Sequence, residues 1–242
     1  MSDVYVIVHG AWHTGAEMEP AAAFIRQKGH QVFCPTLAGN RAGDDKSKTG
    51  LQDAVNSLVS YIEEHDLNNI RLVAHSYGGM VISLVSEIIP QRIKRLVYVN
   101  AFVPEPGQSL TDMIPPMHVG LFDQIAAENN GAIGLPMPVW RESFINDADE
   151  ELAISSYAKL NLQPYKTLTD KANLKMPLAA SEIGKSYVNC REDVVMPHSY
   201  PWHPRLSERL GLFRYVECSG SHEVWFTDPE AIAAAVIKAA RD

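Results

Sequence analysis

Leu72-Val73-Ala74-His75-Ser76-Tyr77-Gly78-Gly79-Met80 is the stretch that decides how this chain is read. Residues 70–74 are an apolar run of the kind that makes a strand buried on both faces, and residues 80–89 have the composition of a helix. A strand that turns at once into a helix must hold its pivot in strained backbone geometry. Bulky side chains two positions before and after the pivot would collide, so small ones are required there. Ala74 and Gly78 meet that demand around Ser76. The strain lifts the pivot hydroxyl above the sheet. The free N–H groups and positive dipole end of the new helix point to the same place. The pattern is that of a nucleophile elbow, G-x-S-x-G, with alanine in place of the first glycine.

Outward from the elbow the chain alternates. Residues 4–8 read as a strand and run into the Gly-rich loop His9-Gly10-Ala11-Trp12-His13-Thr14-Gly15. A helix follows over 17–28, a short strand over 31–34 ended by Pro35, and a polar loop over 36–50. The helix over 51–64 carries Ala54, Val55, Leu58, Val59 and Ile62 on one stripe. After the elbow helix, Pro90 leads to a strand over 95–100. Apolar strands alternating with amphipathic helices imply a parallel sheet covered on both faces, with ligands at the carboxyl ends of the strands. Between residues 103 and 176 prolines break the rhythm, and only three segments, 119–128, 139–145 and 149–160, can be helical. No strand is expected there. The sheet resumes over 184–190 and 213–217, and a helix over 231–240 closes the chain behind Asp228 as cap and Pro229 in the first turn. The expected fold class is therefore α/β: a mostly parallel sheet of about six strands with helices on both faces. Residues 1–102 and 177–242 form the core, and residues 103–176 form a helical cap placed over the strand ends.

A serine hydroxyl is a poor nucleophile unless a base lies within hydrogen-bond reach and a third group orients that base. His222 follows the last strand, in Ser219-Gly220-Ser221-His222-Glu223. Glu192 and Asp193 follow the strand before it; the shorter Asp193, further from the strand, is the preferred acid. Asn100, after the fourth strand, occupies another place where such an acid can sit, and it is uncharged. An oxyanion hole needs two convergent N–H donors. Tyr77, first in the elbow helix, should supply one and Ala11 the other, with Gly10 letting the backbone come close. Trp12, Phe122, Trp140 and Tyr157 are the candidates to line an apolar substrate pocket.

Charge and composition narrow the partners. The formal net charge is −8, which offers no electrostatic basis for binding nucleic acid or an anionic membrane. No apolar run approaches the ~20 residues that a membrane helix needs, and the N-terminal apolar stretch is too short for a signal peptide. Cys34, Cys190 and Cys218 are odd in number and far apart, which reads as reduced thiols in a cytoplasmic protein. His9 and His13 stand four apart but belong to a loop, so no metal site is expected there. The expected partner is a small-molecule substrate, and a homodimer is the one assembly considered.

The whole chain resembles an α/β-hydrolase. His9-Gly10-Ala11-Trp12, His75-Ser76-Tyr77-Gly78-Gly79-Met80, Glu192-Asp193 and Ser221-His222 resemble the branch that holds plant methylesterases and hydroxynitrile lyases. The resemblance implies cofactor-free esterase chemistry on small esters. It casts Ser76 as nucleophile, Asp193 as acid and His222 as base, with the Ala11 and Tyr77 amides as oxyanion hole. Ala74 and Thr36 depart from the branch, where glycine and often aspartate stand. The lyases imply a lysine after the catalytic histidine, an acidic residue before the serine and a cysteine after it; this chain has Glu223, His75 and Tyr77. Ester hydrolysis is therefore expected over cyanohydrin cleavage, with Glu223 either repelling an anion or pointing into solvent as a loop carboxylate. The alternatives are a lyase or cofactor-free oxygenase using the triad as general base, and a slow ligand receptor.

Overall fold

The computed structural model describes residues 2–241. Its strands are β1 (Val4–Val8), β2 (Gln31–Phe33), β3 (Ile70–His75), β4 (Ile93–Val99), β5 (Ala132–Ile133), β6 (Gln163–Pro164), β7 (Gly184–Cys190) and β8 (Arg214–Cys218). Its helices are α1 (Glu19–Gln27), α2 (Leu51–Glu64), α3 (Gly78–Ile88), α4 (Pro116–Glu128), α5 (Met137–Val139), α6 (Glu150–Tyr157), α7 (Lys166–Thr169), α8 (Val224–Thr227) and α9 (Pro229–Ala239). Six strands make one sheet in the order β2-β1-β3-β4-β7-β8, every pair parallel.

Alternation along the strands divides the interior in two. Val6, Val8, Leu72, Ala74, Leu96 and Tyr98 face one core, which α2 and α3 cover. Tyr5, Ile7, Val73, Val97 and Val99 face the other, which α1 and α9 cover. From β1 the chain first builds outward to β2, then returns past β1 to β3 and continues the other way. The loops after β1 and β3 therefore open toward each other at the point where strand order reverses, the place where such sheets bind ligands. Asp228 accepts a hydrogen bond from the Ala231 amide (2.9 Å) and caps α9, with Pro229 in its first turn.

Residues 103–176 contain α4 to α7 and differ from expectation in three respects, the first being α7, a short helix outside the three segments expected to be helical. β5 and β6 pair antiparallel, Ala132 with Pro164 and Ile133 with Gln163, where no strand was expected. Two residues are too few to leave an alternation pattern in the sequence. The helical segment over 139–145 is one α-turn followed by a π-turn, Trp140–Phe144, in which the Ile145 amide donates to the Trp140 carbonyl (3.0 Å). No helix among the described residues is long and apolar enough to cross a membrane.

The elbow helix approaches the sheet so closely that two glycines are mandatory. A Cβ on Gly78 would lie 2.9 Å from the His9 carbonyl oxygen, and one on Gly79 would lie 2.1 Å from that of Phe102. Backbone on both sides leaves nothing to move aside. Gly79→Ala is expected to destabilise the fold by at least about 2 kcal/mol. Gly120→Ala, in α4 with nothing within 4 Å of the added methyl, should stabilise it by about 0.5–1 kcal/mol. Urea unfolding midpoints of the two variants check both signs.

Candidate active site

β3 ends at His75, and the next residue, Ser76, has φ +51. The strain expected of an elbow is present as a left-handed non-glycine residue. It is held on both sides: the Ser76 amide donates to the Val99 carbonyl (3.3 Å), and its own carbonyl accepts from the Gly79 and Phe102 amides (3.1 Å each). Tyr77 begins the turn into α3. The loop after β1 comes within contact of this turn, because a Cβ on Gly10 would lie 3.2 Å from Ser76 Cβ and 2.9 Å from His75 Nδ1. The amides of Ala11 and Tyr77 have no acceptor among the described residues, and both residues line the same cavity as Ser76.

Trp12 is also left-handed, at φ +66, and segment 103–176 holds it there. Its amide donates to Gln163 Oε1 (3.0 Å), its indole Nε1 to the Ile133 carbonyl (3.0 Å), and its carbonyl accepts from the Asn161 amide (2.7 Å). The β5–β6 pair thus pins the loop that carries Ala11.

Beyond β7, Asp193 turns inward. Its Oδ2 accepts from His222 Nδ1 at 2.6 Å and also from Asn100 Nδ2. Its Oδ1 accepts from the Val195 amide at 2.9 Å. Asn100, at φ +36 just past β4, is locked by the Cys190 amide on its Oδ1 (2.9 Å). It is a buried positioning group, and the sequence signal for it was its place directly after a strand. Glu192 goes the other way: it is half-exposed and accepts from the Gly220 amide, bracing the histidine loop from outside. The structure brings Asp193, and not Glu192, to His222.

With Nδ1–H given to Asp193, the neutral His222 presents a bare Nε2, which is buried and has no partner among the described residues. Burial pushes this imidazole down, but the Asp193 carboxylate and, less strongly, Glu223 more than offset it and raise it above the ordinary histidine range. Beside it, His75 donates from Nε2 to the His222 carbonyl (3.1 Å), and burial holds it well below that range. Glu223 is not the solvated loop carboxylate allowed for above. Its amide donates to the Phe144 carbonyl (3.1 Å) and to Ser221 Oγ (3.2 Å), which turns the side chain inward, 3.4 Å from His13 Nε2. Burial raises this carboxyl. His13 Nδ1 in turn donates to the Ala11 carbonyl (2.6 Å). His9 and His13, paired in the sequence, take separate partners: His9 donates from Nδ1 to the Gly10 carbonyl (2.8 Å) and accepts from the Leu37 amide at Nε2 (3.1 Å). Donor atoms of His75, His222 and Glu223 do lie within 4.8 Å of one another. The hydrogen bonds on His222 Nδ1 and His75 Nε2 fix both rings and leave His222 Nε2, His75 Nδ1 and Glu223 Oε2 without a hydrogen-bond partner among the described residues.

Ser76 opens into a cavity of about 290 Å³. Trp12 and Phe122 form part of its wall. Trp140 and Tyr157 do not: Trp140 Nε1 donates to the Ala153 carbonyl (3.1 Å) and Tyr157 OH to that of Leu135 (2.8 Å), so both are drawn into segment 103–176. Phe102, Phe144 and Trp202 stand in the wall instead, and no periodicity marked them. Ser143 and His118 are polar side chains of the lining besides Ser76, and no Lys, Arg, Asp or Glu lines the cavity among the described residues.

A family model described as "Alpha/beta hydrolase family" matches residues 5–235. A solved extracellular alpha/beta-hydrolase from a Paenibacillus species is 36% identical, with TM-score 0.95 over 99% of this chain and 100% of that one; it is described as sharing structural and functional homology with tobacco salicylic acid binding protein 2. A carbendazim hydrolyzing esterase from a Nocardioides species is 37% identical over 156 residues, which span 60% of this chain and 64% of that protein. Methylesterase 7 of Arabidopsis thaliana is 25% identical over 81% of this chain and 80% of its own length.

The buried histidines make stability depend on pH. His9 is lowered to about 4, chiefly by burial, and His75 lies well below its unfolded value of 6.5. Below pH 6.5 the unfolded chain takes up protons that the native state refuses, so stability falls as pH drops from about 6.5 to 4. His222 has the opposite sign: its raised value contributes stability that is present below 6.5 and lost as pH rises through that value. The lowering of His9 to about 4, chiefly by burial, corresponds to about 3 kcal/mol of stability lost by pH 4, and protonating its Nε2 also removes the acceptor for the Leu37 amide. Urea unfolding at pH 7 and pH 4.5 should show a smaller loss for His9→Gln than for the parent chain. An equal loss would place the proton uptake elsewhere.

Proposed function

The chain belongs to the alpha/beta hydrolase family, and from that premise we propose that it is a serine carboxylesterase working through Ser76, His222 and Asp193. The observation that carries the proposal is the buried Asp193–His222 hydrogen bond at 2.6 Å, which leaves a bare Nε2 on an imidazole whose own carbonyl is bound by His75, the residue before Ser76, while Ser76 lines an apolar cavity. His222 Nε2 takes the Ser76 proton as the hydroxyl oxygen attacks the ester carbonyl carbon. The Ala11 and Tyr77 amides donate to the oxyanion. As the C–O bond to the alcohol breaks, the imidazolium returns the proton to the leaving oxygen. Water then repeats the attack on the acyl-enzyme, and Ser76 regains its proton through His222. Asp193 keeps Nδ1–H in place throughout, and Asn100 keeps Asp193 in place.

The cavity favours a neutral, apolar or aromatic ester, because its wall is mostly apolar and no Lys, Arg, Asp or Glu lines it among the described residues. Among similar proteins, one is named for carbendazim hydrolysis and others as methylesterases, which fits a small leaving alcohol. Residues 103–176 act as the cap: α4 and the π-turn supply Phe122, His118, Ser143 and Phe144 to the wall and so set which acyl group enters. Three free thiols, two of them registered neighbours on β7 and β8 (Cys190 and Cys218), support a reducing, cytoplasmic location.

Chromogenic esters of graded acyl length test the reaction. Ser76→Ala should lose at least about 10³-fold in kcat with an unchanged unfolding curve. A variant hydrolysing its best ester near the parent rate would end the assignment. Asp193→Asn should lose far more kcat/KM than Glu192→Gln, whose carboxylate faces the surface. Comparable losses would reassign the acid. An ester bearing a free carboxylate on its acyl ring should be turned over at least about tenfold less well than its neutral parent.

A further inference from the structure

Three rings crowd the imidazole of His222. Trp202 is stacked on it, with centroids 5.3 Å apart and planes within 18°. Phe144 stands at 90° with a centroid separation of 5.3 Å, and His75 is tilted at 4.6 Å. Trp202 lies in the irregular stretch between β7 and β8, and contacts other than His222 fix it. Phe102 meets its indole at 4.9 Å, and its carbonyl accepts from the Leu206 (2.9 Å) and Ser207 (3.3 Å) amides. The fold therefore delivers an indole face to this imidazole whether or not the imidazole is charged.

We propose that Trp202 is a positioning residue for the reaction, its indole face stabilising the imidazolium that His222 becomes each time it holds the serine or water proton. The inference rests on the reading of His222 as the base. An aromatic face attracts a cation within about 6 Å of its centroid, and most strongly where water is excluded. His222 and Trp202 are both buried. The other charged and titratable groups facing His222 approach from elsewhere. Asp193 binds Nδ1 in the ring plane. Glu223 is the next residue along the chain and is turned to His13, and His75 gives its proton to the His222 carbonyl. The face that Trp202 covers thus receives its negative potential from the indole. The stack also restricts how far the ring can tilt while Nδ1 is bound to Asp193.

Graded fluorination of Trp202 tests this, because fluorine withdraws the face potential while nearly preserving the ring's shape. Fluorotryptophans of increasing fluorine number would be placed at position 202 alone in the full-length chain. The His222 ring signal would be followed by NMR titration and assigned by its loss in His222→Asn. The His222 pKa should fall stepwise, by about 0.5–1 unit in all. The acid limb of kcat/KM should move down with it, and kcat should fall about 3- to 10-fold with little change in KM. Trp202→Leu should shift the titration in the same direction. A pKa that stays constant across the fluorine series overturns the proposal. So does a rise in Trp202→Leu, which would mean that the indole only keeps water out. If Trp202→Leu does not fold, the fluorine series decides alone. The titration in a Ser76→Ala background needs no turnover, so a failure of the esterase reading and a failure of the stack are separately visible.

Discussion

One residue in left-handed backbone, Ser76, bears the geometry on which the rest of the site depends. A side chain in that region costs on the order of 1–3 kcal/mol, and it persists only where the surroundings leave no alternative. Here the surroundings are a fully buried strand on one side and a helix jammed against backbone on the other. Gly78 and Gly79 have no room for a Cβ because the β1 loop and Phe102 already occupy it. The close approach that forbids those side chains also brings Gly10 and Ala11 to the serine. The strained turn and the pair of free amides are two results of one packing arrangement.

The acid and base reach the same point by a different route. Asn100 ties the end of β4 to the end of β7 through the Cys190 amide and passes its remaining donor to Asp193. Glu192, one residue earlier, uses its carboxylate on the Gly220 amide to hold the loop of the partner histidine. Two adjacent carboxylates therefore divide the work: the buried one orients the imidazole, and the half-exposed one fixes the loop that carries it. Behind them His75, His13 and Glu223 pass hydrogen bonds and close polar contacts from the histidine loop back to the carbonyl of Ala11. The two halves of the site are joined beneath the surface as well as across the cavity.

Legibility in the sequence followed the range of the interaction. The elbow, the alternating strands and the α2 stripe are local patterns, and β7 and α2 were readable to the residue. His222 and the Glu192-Asp193 pair were readable as loop residues after the proper strands, but only contact separates Asp193 from its neighbour. The cavity wall was half readable. Trp12 and Phe122 lie in it, while Trp140 and Tyr157 are turned away by hydrogen bonds to carbonyls far along the chain. An aromatic residue in a Pro-broken segment carries no period, so its direction is set by such distant partners. Gln163 escaped notice, and the direction of Glu223 was left open, for the same reason: each is polar in composition and buried by its contacts.

The division of the interior by the sheet has a bearing on how this protein can change. The aromatic wall of the cavity, from Trp12 and Tyr77 to Phe102, Phe122, Phe144 and Trp202, belongs to the core that α2 and α3 cover. None of it belongs to the core shared by α1 and α9. Energetic coupling between substitutions weakens once they share no neighbours. Losses incurred in recutting the cavity for a new acyl group can therefore be made good on the opposite side of the sheet, by mutations that never touch the substrate. Selectivity and robustness are separately adjustable in this architecture, which lets a lineage explore substrates without first surrendering its fold.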